Sequence, residues 1–264
     1  INKIMKLSEL QSFKKNGEKI TCLTAYDASF AKLFDACGVD MILVGDSLGN
    51  VIQGGENTLG VSMEDMIYHT QAVAKSMQNA LLIADMPYQS YTHAQQTLEN
   101  AKRLMSVGAQ MVKFEGGAEH EASFKILQES AIPVCGHLGL QPQSVVEMGG
   151  YKVQGKDDAG ANKILEDALL LESWGVEVLV LECVPETLAT KISAKLSIPT
   201  IGIGAGVNCD GQVLVSYDML GINTGHLPKF VKNFLTGHDS IQSGVKSYIN
   251  AVKNQTFPND KHSY

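Results

Sequence analysis

The stretch VEVLVLECVP, Val176–Pro185, decides the fold, because its apolar run is continuous rather than alternating. A strand that is apolar on both faces is buried on both faces, as in a parallel sheet covered by helices. Further runs of the same kind are KITCLTAYD, DMILVGD, ALLIADMP, AQMVKFEGG, IPVCGHLGL and IPTIGIGAG. The sequence therefore predicts seven strands of a parallel sheet.

Segments with helical periodicity lie between these runs, and several of them end on glycine, as helices often do. An eighth strand is expected at residues 218–225, where DMLGINTG carries a weaker apolar pattern. Seven or eight strand–helix units in 264 residues favour an α/β fold of the (β/α)8 TIM-type barrel class. An open doubly wound sheet stays an alternative, since the order of the strands cannot be read from the sequence.

The chain shows no linker-like or low-complexity segment, so residues 1–264 are expected to form a single domain. Residues 1–18 predict an amphipathic N-terminal helix. The tail, residues 229–264, predicts one extra C-terminal helix at about 240–254. Both segments are expected to pack outside the barrel.

Composition and charge narrow the range of partners. The formal net charge of -7 argues against nucleic acid and membrane partners, because both attract clustered Lys and Arg. No apolar run approaches the roughly 20 residues of a membrane helix, and the first residues are too polar for the core of a signal peptide. The five cysteines form no C-x-x-C pair. We therefore expect a cytoplasmic protein with reduced cysteines packed as small apolar residues.

Polar side chains recur where the predicted strands end. The carboxyl ends of parallel strands are where active sites form in α/β folds. Capping explains one such residue, but five consecutive strands that each supply one are harder to explain by capping. The candidate site residues, from the second to the sixth strand, are Asp46, Ser47, Asp85, Lys113, Glu115, His137 and Glu182.

Alternation along the fourth strand puts Lys113 and Glu115 on one face and Phe114 on the other. If the two charged side chains point into the barrel, they lie side by side at its mouth, and a structural ion pair remains an alternative interpretation. Three carboxylates that converge there, Asp46, Asp85 and Glu115, repel one another unless a cation is present. Such oxygen donors, without a His or Cys ligand set, favour Mg²⁺ with retained waters over Zn²⁺.

Two further residues have alternative interpretations. Glu182 ends the strongly apolar VLVLE and is a candidate proton acceptor, or else a cap of the helix after Pro185. His137 is a candidate hydrogen-bond partner of a substrate oxygen, or else a core or turn histidine. The glycine run GIGAG at residues 202–206 is typical of a phosphate loop or of close backbone packing. The absence of a P-loop pattern argues against ATP.

Ten motifs together carry a family resemblance that runs from about Thr24 to the C-terminus. They are LVGDSLGNVIQG, HTQAV, ADMPYQSY, MVKFEGG, IPVCGHLGLQPQS, GGYKVQG, LVLECVP, IPTIGIGAG, DGQVLV and HLPKFVKNF. In order and spacing they closely resemble the ketopantoate hydroxymethyltransferase family.

The resemblance implies a (β/α)8 barrel and a Mg²⁺-dependent hydroxymethyltransferase, with one Mg²⁺ in each subunit. It implies transfer of a hydroxymethyl group from 5,10-methylenetetrahydrofolate to 3-methyl-2-oxobutanoate through a magnesium-stabilised enolate. The products are 2-dehydropantoate and tetrahydrofolate, and the reaction is the first step of pantothenate biosynthesis, which leads to coenzyme A. It also implies a homodecamer.

The resemblance assigns a role to each strand-end residue. It implies that Glu182 is the catalytic proton acceptor. The implied metal ligands are Asp46, Asp85 and Glu115, and the implied substrate-binding residues are Asp46, Ser47, Asp85, Lys113 and His137.

Three other functions remain compatible with the residues alone. Lys113 could form a Schiff base in a metal-independent aldolase. A metal-dependent carbon–carbon lyase could act on an oxoacid or a phosphonate without folate. A catalytically silent scaffold could form rings and keep the barrel.

Overall fold

The computed structural model describes residues 4–146, 148–223, 225 and 227–264, and within them eight parallel strands close into a barrel. The strands follow one another around the barrel in chain order, and the last pairs with the first. This closed order confirms the (β/α)8 class and excludes the open sheet. The strands are β1 Ile20–Thr24, β2 Met41–Val44, β3 Leu81–Asp85, β4 Met111–Glu115, β5 Val134–Gly139, β6 Val178–Glu182, β7 Thr200–Ile203 and β8 Gly211–Leu214.

One or two helices lie between successive strands from β1 to β7, and β8 follows β7 directly. Short 3-10 turns at Ala118–His120 and Pro142–Ser144 follow β4 and β5. Several helices begin at a side-chain cap, as at Asp27, whose carboxylate accepts hydrogen bonds from two backbone N–H groups of the first turn. The helices are α1 Leu7–Asn16, α2 Ala28–Cys37, α3 Leu48–Val51, α4 Met63–Ala74, α5 Ala94–Ser106, α6 Glu121–Glu129, α7 Asp158–Ser173, α8 Glu186–Lys195, α9 Ser216–Met219 and α10 Ile241–Lys253.

The expected eighth strand at residues 218–225 is wrong. The strand is Gly211–Leu214, and Asp218 and Met219 belong to α9, while Thr224 lies outside the described residues. The observed strand is only four residues long and contains a glycine and a glutamine. Its apolar pattern is therefore too weak to distinguish it from a turn. Gly211 is required there, because a Cβ would lie 2.5 Å from the Ile20 carbonyl oxygen.

The C-terminal helix α10 lies against β1 and α2. The hydroxyl of Tyr248, a fully buried residue, lies 2.9 Å from the carbonyl oxygens of both Cys22 and Gln212, which belong to β1 and β8. One side chain therefore joins the first and last strands where the barrel closes. The predicted helices near the two ends of the chain are confirmed, with bounds of Leu7–Asn16 and Ile241–Lys253, while the assignment of one domain stays a prediction.

In the part of the chain that the structure describes, no helix is both long and apolar enough to cross a membrane.

Candidate active site at the mouth of the barrel

Strand register places the polar strand ends next to one another. Asp85, the last residue of β3, pairs with Lys113 on β4, and Glu115, the last residue of β4, pairs with His137 on β5. Glu182 ends β6, the next strand around the barrel. Since parallel strands of a barrel end at the same rim, these five side chains meet at its C-terminal mouth.

The alternation predicted for β4 is present. Lys113 and Glu115 contact polar groups of the neighbouring strands β3 and β5. Phe114, between them, stacks on Phe124 of α6 with ring centroids 4.3 Å apart. The two charged side chains therefore lie on the face of β4 that is turned away from the helices.

Asp85 joins two of the other predicted residues. Its Oδ2 accepts a hydrogen bond from the backbone N–H of Asp46 at 3.0 Å, and its Oδ1 lies 2.7 Å from Lys113 Nζ. Burial alone lowers the pKa of Lys113, but the carboxylates of Asp85, Glu115 and Asp46 outweigh burial and raise it above its usual value. Lys113 is thus a buried ammonium group that keeps its proton.

His137 lies between two carboxylates. Its Nδ1 is 3.5 Å from Glu115 Oε1, and its Nε2 is 3.2 Å from Glu182 Oε2. Both contacts are ion-pair distances, and within the described residues neither ring nitrogen has a well-aligned hydrogen-bond partner. Burial and the charge of Lys113 lower the pKa of His137, but Glu115 and Glu182 outweigh them and raise it to about 9. The imidazole is therefore a second cation at the mouth.

The helix-cap alternative for Glu182 has no support, because its carboxylate contacts His137 and α8 begins at Glu186, after Pro185. The side chain of Glu182 is 14% exposed, against 3% for His137 beneath it. Of this pair, Glu182 is the group that a molecule entering the mouth reaches first.

The charged form of Asp46 is unfavourable when only protein groups surround it. Burial is the largest cause, and Asp85 and Glu115 are the next, and together they raise the pKa of Asp46 to about 8. Lys113 acts in the opposite direction without cancelling them. A cation among these carboxylates would relieve the repulsion.

The donor set fits a divalent ion that keeps water ligands. Oδ1 of Asp85 is a buried oxygen that has no hydrogen-bond partner within the described residues, although it pairs with Lys113. In residues 4–146, 148–223, 225 and 227–264 no group of three or more His, Cys, Asp and Glu side chains is arranged to enclose a metal ion. Mg²⁺ needs no such cage, because it binds one or two carboxylates and completes its octahedron with water and substrate oxygens. Which of Asp46, Asp85 and Glu115 are ligands stays a prediction.

Ser47 contacts a residue that sequence reasoning did not select. Its Oγ lies 2.8 Å from the hydroxyl of Tyr26, which follows β1, and the carbonyl oxygen of Tyr26 contacts His69 Nδ1 at 2.6 Å. A Cβ built on Gly45 would lie 2.8 Å from Ser47 Oγ and 3.5 Å from Asp85 Oδ2. Glycine at position 45 therefore leaves space beside both groups.

Gln143 is the second residue that sequence reasoning missed. It is 5% exposed, and its Nε2 donates to Asp46 Oδ2 at 2.7 Å while its backbone N–H donates to Glu115 Oε2 at 3.0 Å. A polar residue right after Pro142, in the turn that follows the strand of His137, was the available signal. That signal is weak, since such turns are usually exposed.

The glycine run at residues 202–206 serves close packing. Gly204 and Gly206 have φ values of 61° and 87°, and a Cβ on Gly206 would lie 2.3 Å from Glu186 Cγ. A Cβ on Gly204 would lie 2.9 Å from Phe230 and 3.0 Å from Tyr264. Side chains, one of them acidic, occupy the space next to this loop, which disfavours a phosphate.

Among solved structures, phosphonopyruvate hydrolase in complex with oxalate and Mg++ matches the fold with a TM-score of 0.63 at 12% identity, over 80% of this chain and 81% of that chain. A 2,3-dimethylmalate lyase, a PEP mutase/isocitrate lyase superfamily member, matches with a TM-score of 0.59 at 14% identity, over 83% and 84%. At such identities the likeness shows the barrel fold alone.

Residues 4–260 match the family model of ketopantoate hydroxymethyltransferase. A 3-methyl-2-oxobutanoate hydroxymethyltransferase of Ruthia magnifica subsp. Calyptogena magnifica is 69% identical over 260 residues, which are 98% of this chain and 100% of that protein. The protein of the same name from Methylobacillus flagellatus is 54% identical over 261 residues, 98% and 100% of the two chains. With its barrel and its strand-end site, the chain belongs to the ketopantoate hydroxymethyltransferase family of transferases.

Proposed function

We propose that the protein transfers a hydroxymethyl group from 5,10-methylenetetrahydrofolate to 3-methyl-2-oxobutanoate and forms 2-dehydropantoate and tetrahydrofolate. This would be the first step of pantothenate biosynthesis. The observation that carries the proposal is the set of buried polar side chains at the barrel mouth, which come from the ends of β2 to β6. The chain also belongs to the ketopantoate hydroxymethyltransferase family. Such a set suits an oxoacid, which presents a carboxylate and a keto oxygen together.

One or two of the carboxylates Asp46, Asp85 and Glu115 would bind Mg²⁺ directly, with water and substrate oxygens as its other ligands. When bound, Mg²⁺ acts as a Lewis acid that polarises the keto group and acidifies the neighbouring C3–H. Burial, and after it the charges of Asp85 and Glu115, raise the pKa of Asp46, which supports a cation near these carboxylates. The proposed ligand set accounts for three carboxylates that the fold itself does not need.

Lys113 and Ser47 would bind the oxoacid. Because the surrounding carboxylates raise its pKa, Lys113 stays an ammonium group and neutralises the charge of the bound acid and of its enolate. A Schiff base requires a neutral amine, so these surroundings oppose the aldolase alternative. The hydroxyl of Ser47, placed by its contact with Tyr26, would donate to the substrate carboxylate.

Glu182 would remove the C3 proton. It is the most exposed carboxylate of the set, and His137 contacts its Oε2 and orients it. The carbon that loses the proton then attacks the methylene carbon of the folate donor. Both bonds from the methylene carbon to the folate nitrogens N5 and N10 break, and water supplies the hydroxyl oxygen. The C3 proton and one proton of the water end on the two nitrogens. General-base catalysis of this kind contributes about 10²–10⁴-fold to a rate.

Formation of 2-dehydropantoate by the wild type, Glu182→Gln and Glu177→Gln tests the proposal. Glu177 directly precedes the first residue of β6, whereas Glu182 is the last residue of that strand. Glu177 is therefore a matched control at the other end of the same strand. We expect Glu182→Gln to lose about 10²–10⁴-fold in kcat and Glu177→Gln to keep its activity. Turnover of the oxoacid that does not depend on the folate donor would instead favour the lyase alternative.

We further propose a cytoplasmic homodecamer. All five cysteines are free thiols, which suits a reducing compartment. Large apolar side chains are exposed on the single chain, such as Tyr68 at 70%, and suit contacts between subunits. Sedimentation should give about ten times the chain mass of 28.4 kDa, and a monomer or dimer would contradict the decamer.

A further inference from the structure

We propose that Gln143, with its amide oriented by Tyr91, is the positioning residue that holds Asp46 and Glu115 in place for the divalent ion. This inference rests on the proposed function. Gln143 contacts carboxylates that arrive from two different strands, β2 and β4, and it belongs to neither of those strands.

The two contacts use different parts of the residue. The side-chain Nε2 donates to Asp46 Oδ2 at 2.7 Å, and the backbone N–H donates to Glu115 Oε2 at 3.0 Å. Pro142, at the start of the 3-10 turn, restricts the backbone φ angle just before that N–H. One oxygen of each carboxylate therefore accepts a hydrogen bond from the same short turn. The position of this turn sets the distance between the two carboxylates.

The amide of Gln143 can adopt only one orientation. Its Nε2 also donates to the backbone carbonyl oxygen of Met86 at 3.1 Å, and a carbonyl oxygen can only accept. If the amide flipped, its oxygen would face the carbonyl oxygen of Met86, and two acceptors would meet without a proton between them. The NH₂ group therefore faces Asp46.

Tyr91 fixes the other side of the amide. Its hydroxyl donates to Gln143 Oε1 at 2.5 Å, and its ring packs on Phe114 with centroids 4.9 Å apart. Tyr91 is 7% exposed, so a rigid, buried ring holds the donor in place. Tyr91, Gln143 and Asp46 thus form a chain of hydrogen bonds that runs from the layer beneath the helices to the barrel mouth.

Groups that orient metal ligands set the affinity for the metal, and their loss typically weakens it by about 10–100-fold. Gln143→Met keeps the length of the side chain and removes the three hydrogen bonds of the amide, to Asp46, Met86 and Tyr91. The backbone contact with Glu115 remains. Tyr91→Phe removes one hydroxyl and keeps the ring. Gln95→Met makes the same exchange as Gln143→Met on the exposed face of α5 and is the matched control.

The experiment titrates each purified variant with Mn²⁺ alone, followed by electron paramagnetic resonance, and records thermal unfolding in metal-free buffer. We expect the Mn²⁺ dissociation constant to rise about 10–100-fold in Gln143→Met and about fivefold in Tyr91→Phe. Gln95→Met should match the wild type. Because Tyr91→Phe changes a single hydroxyl, it tests the inference even if Gln143→Met does not fold.

Unchanged Mn²⁺ affinity in Gln143→Met or in Tyr91→Phe, with or without a lower melting temperature, would show a structural role only and overturn the inference. The proposed function fails by a different result. If Mn²⁺ affinity depends on Gln143 but the wild type forms no 2-dehydropantoate, the positioning role is retained and the proposed reaction is lost. A wild type that binds no Mn²⁺ loses both.

Discussion

Removal of the charge of Lys113 should destabilise the metal-free protein strongly. Lys113 Nζ lies 2.7 Å from Asp85 Oδ1, and the two side chains are 5% and 4% exposed. At an effective dielectric constant of about 20, that separation corresponds to an attraction of about 6 kcal/mol, part of which offsets desolvation. Loss of one partner of a buried pair typically costs about 3–5 kcal/mol. We expect this loss in Lys113→Met, because Asp85 then remains buried beside Asp46 and Glu115 without an ammonium group.

The assay is urea unfolding followed by circular dichroism, at pH 8 in EDTA and at equal protein concentrations, since assembly also affects stability. In a thermal scan of the same samples, at about 2–4 °C for each kcal/mol, the melting temperature should fall by about 6–20 °C. The control is Lys125→Met, because Lys125 pairs with Glu121 on the surface of α6, where both side chains are 51% exposed. Such pairs contribute about 0–1 kcal/mol. A loss of less than about 1 kcal/mol in Lys113→Met would refute the reasoning, since it lies well below the range for a buried pair.

Two further predictions concern stability. In EDTA the free energy of unfolding should fall as the pH rises from 6 to 9. Asp46, with its pKa raised to about 8, keeps a proton that the unfolded chain has released, and His137, with a pKa of about 9, loses its stabilising charge in the same range. The slope is about 1.4 kcal/mol for each pH unit and each proton, and urea titrations that show constant or rising stability would contradict it. Tyr248→Phe should lose about 1–3 kcal/mol, because carbonyl oxygens of β1 and β8 lose a buried hydroxyl; an unchanged urea midpoint would contradict that role.

The sequence was informative where the residues of a single strand were enough to predict that strand and the polar residue at its end. VLVLE predicts a buried strand because each residue is apolar up to the last, and Glu182 then stands out as a carboxylate at its end. The same reasoning applies to Asp85, which ends LLIAD. Since parallel strands of a barrel end at one rim, strand-end residues could be grouped before their distances were known.

Sequence reasoning failed where the explanation lies in another part of the chain. The strand Gly211–Leu214 has little apolar pattern of its own, and its glycine is explained only by the approach of Ile20. Gln143 and Tyr26 are important for their contacts with Asp46 and Ser47, which lie far away in the sequence. Contacts of this kind leave no periodicity along the chain.

The central claim is that buried carboxylates hold one divalent ion, which makes an oxoacid acidic enough for Glu182 to deprotonate. Exchange of the C3 hydrogen of 3-methyl-2-oxobutanoate with solvent deuterium, measured by NMR without any folate, tests it most directly. We predict exchange by the wild type with Mg²⁺, and its loss both in EDTA and in Glu182→Gln. Exchange that continues undiminished in EDTA or in Glu182→Gln would contradict the claim.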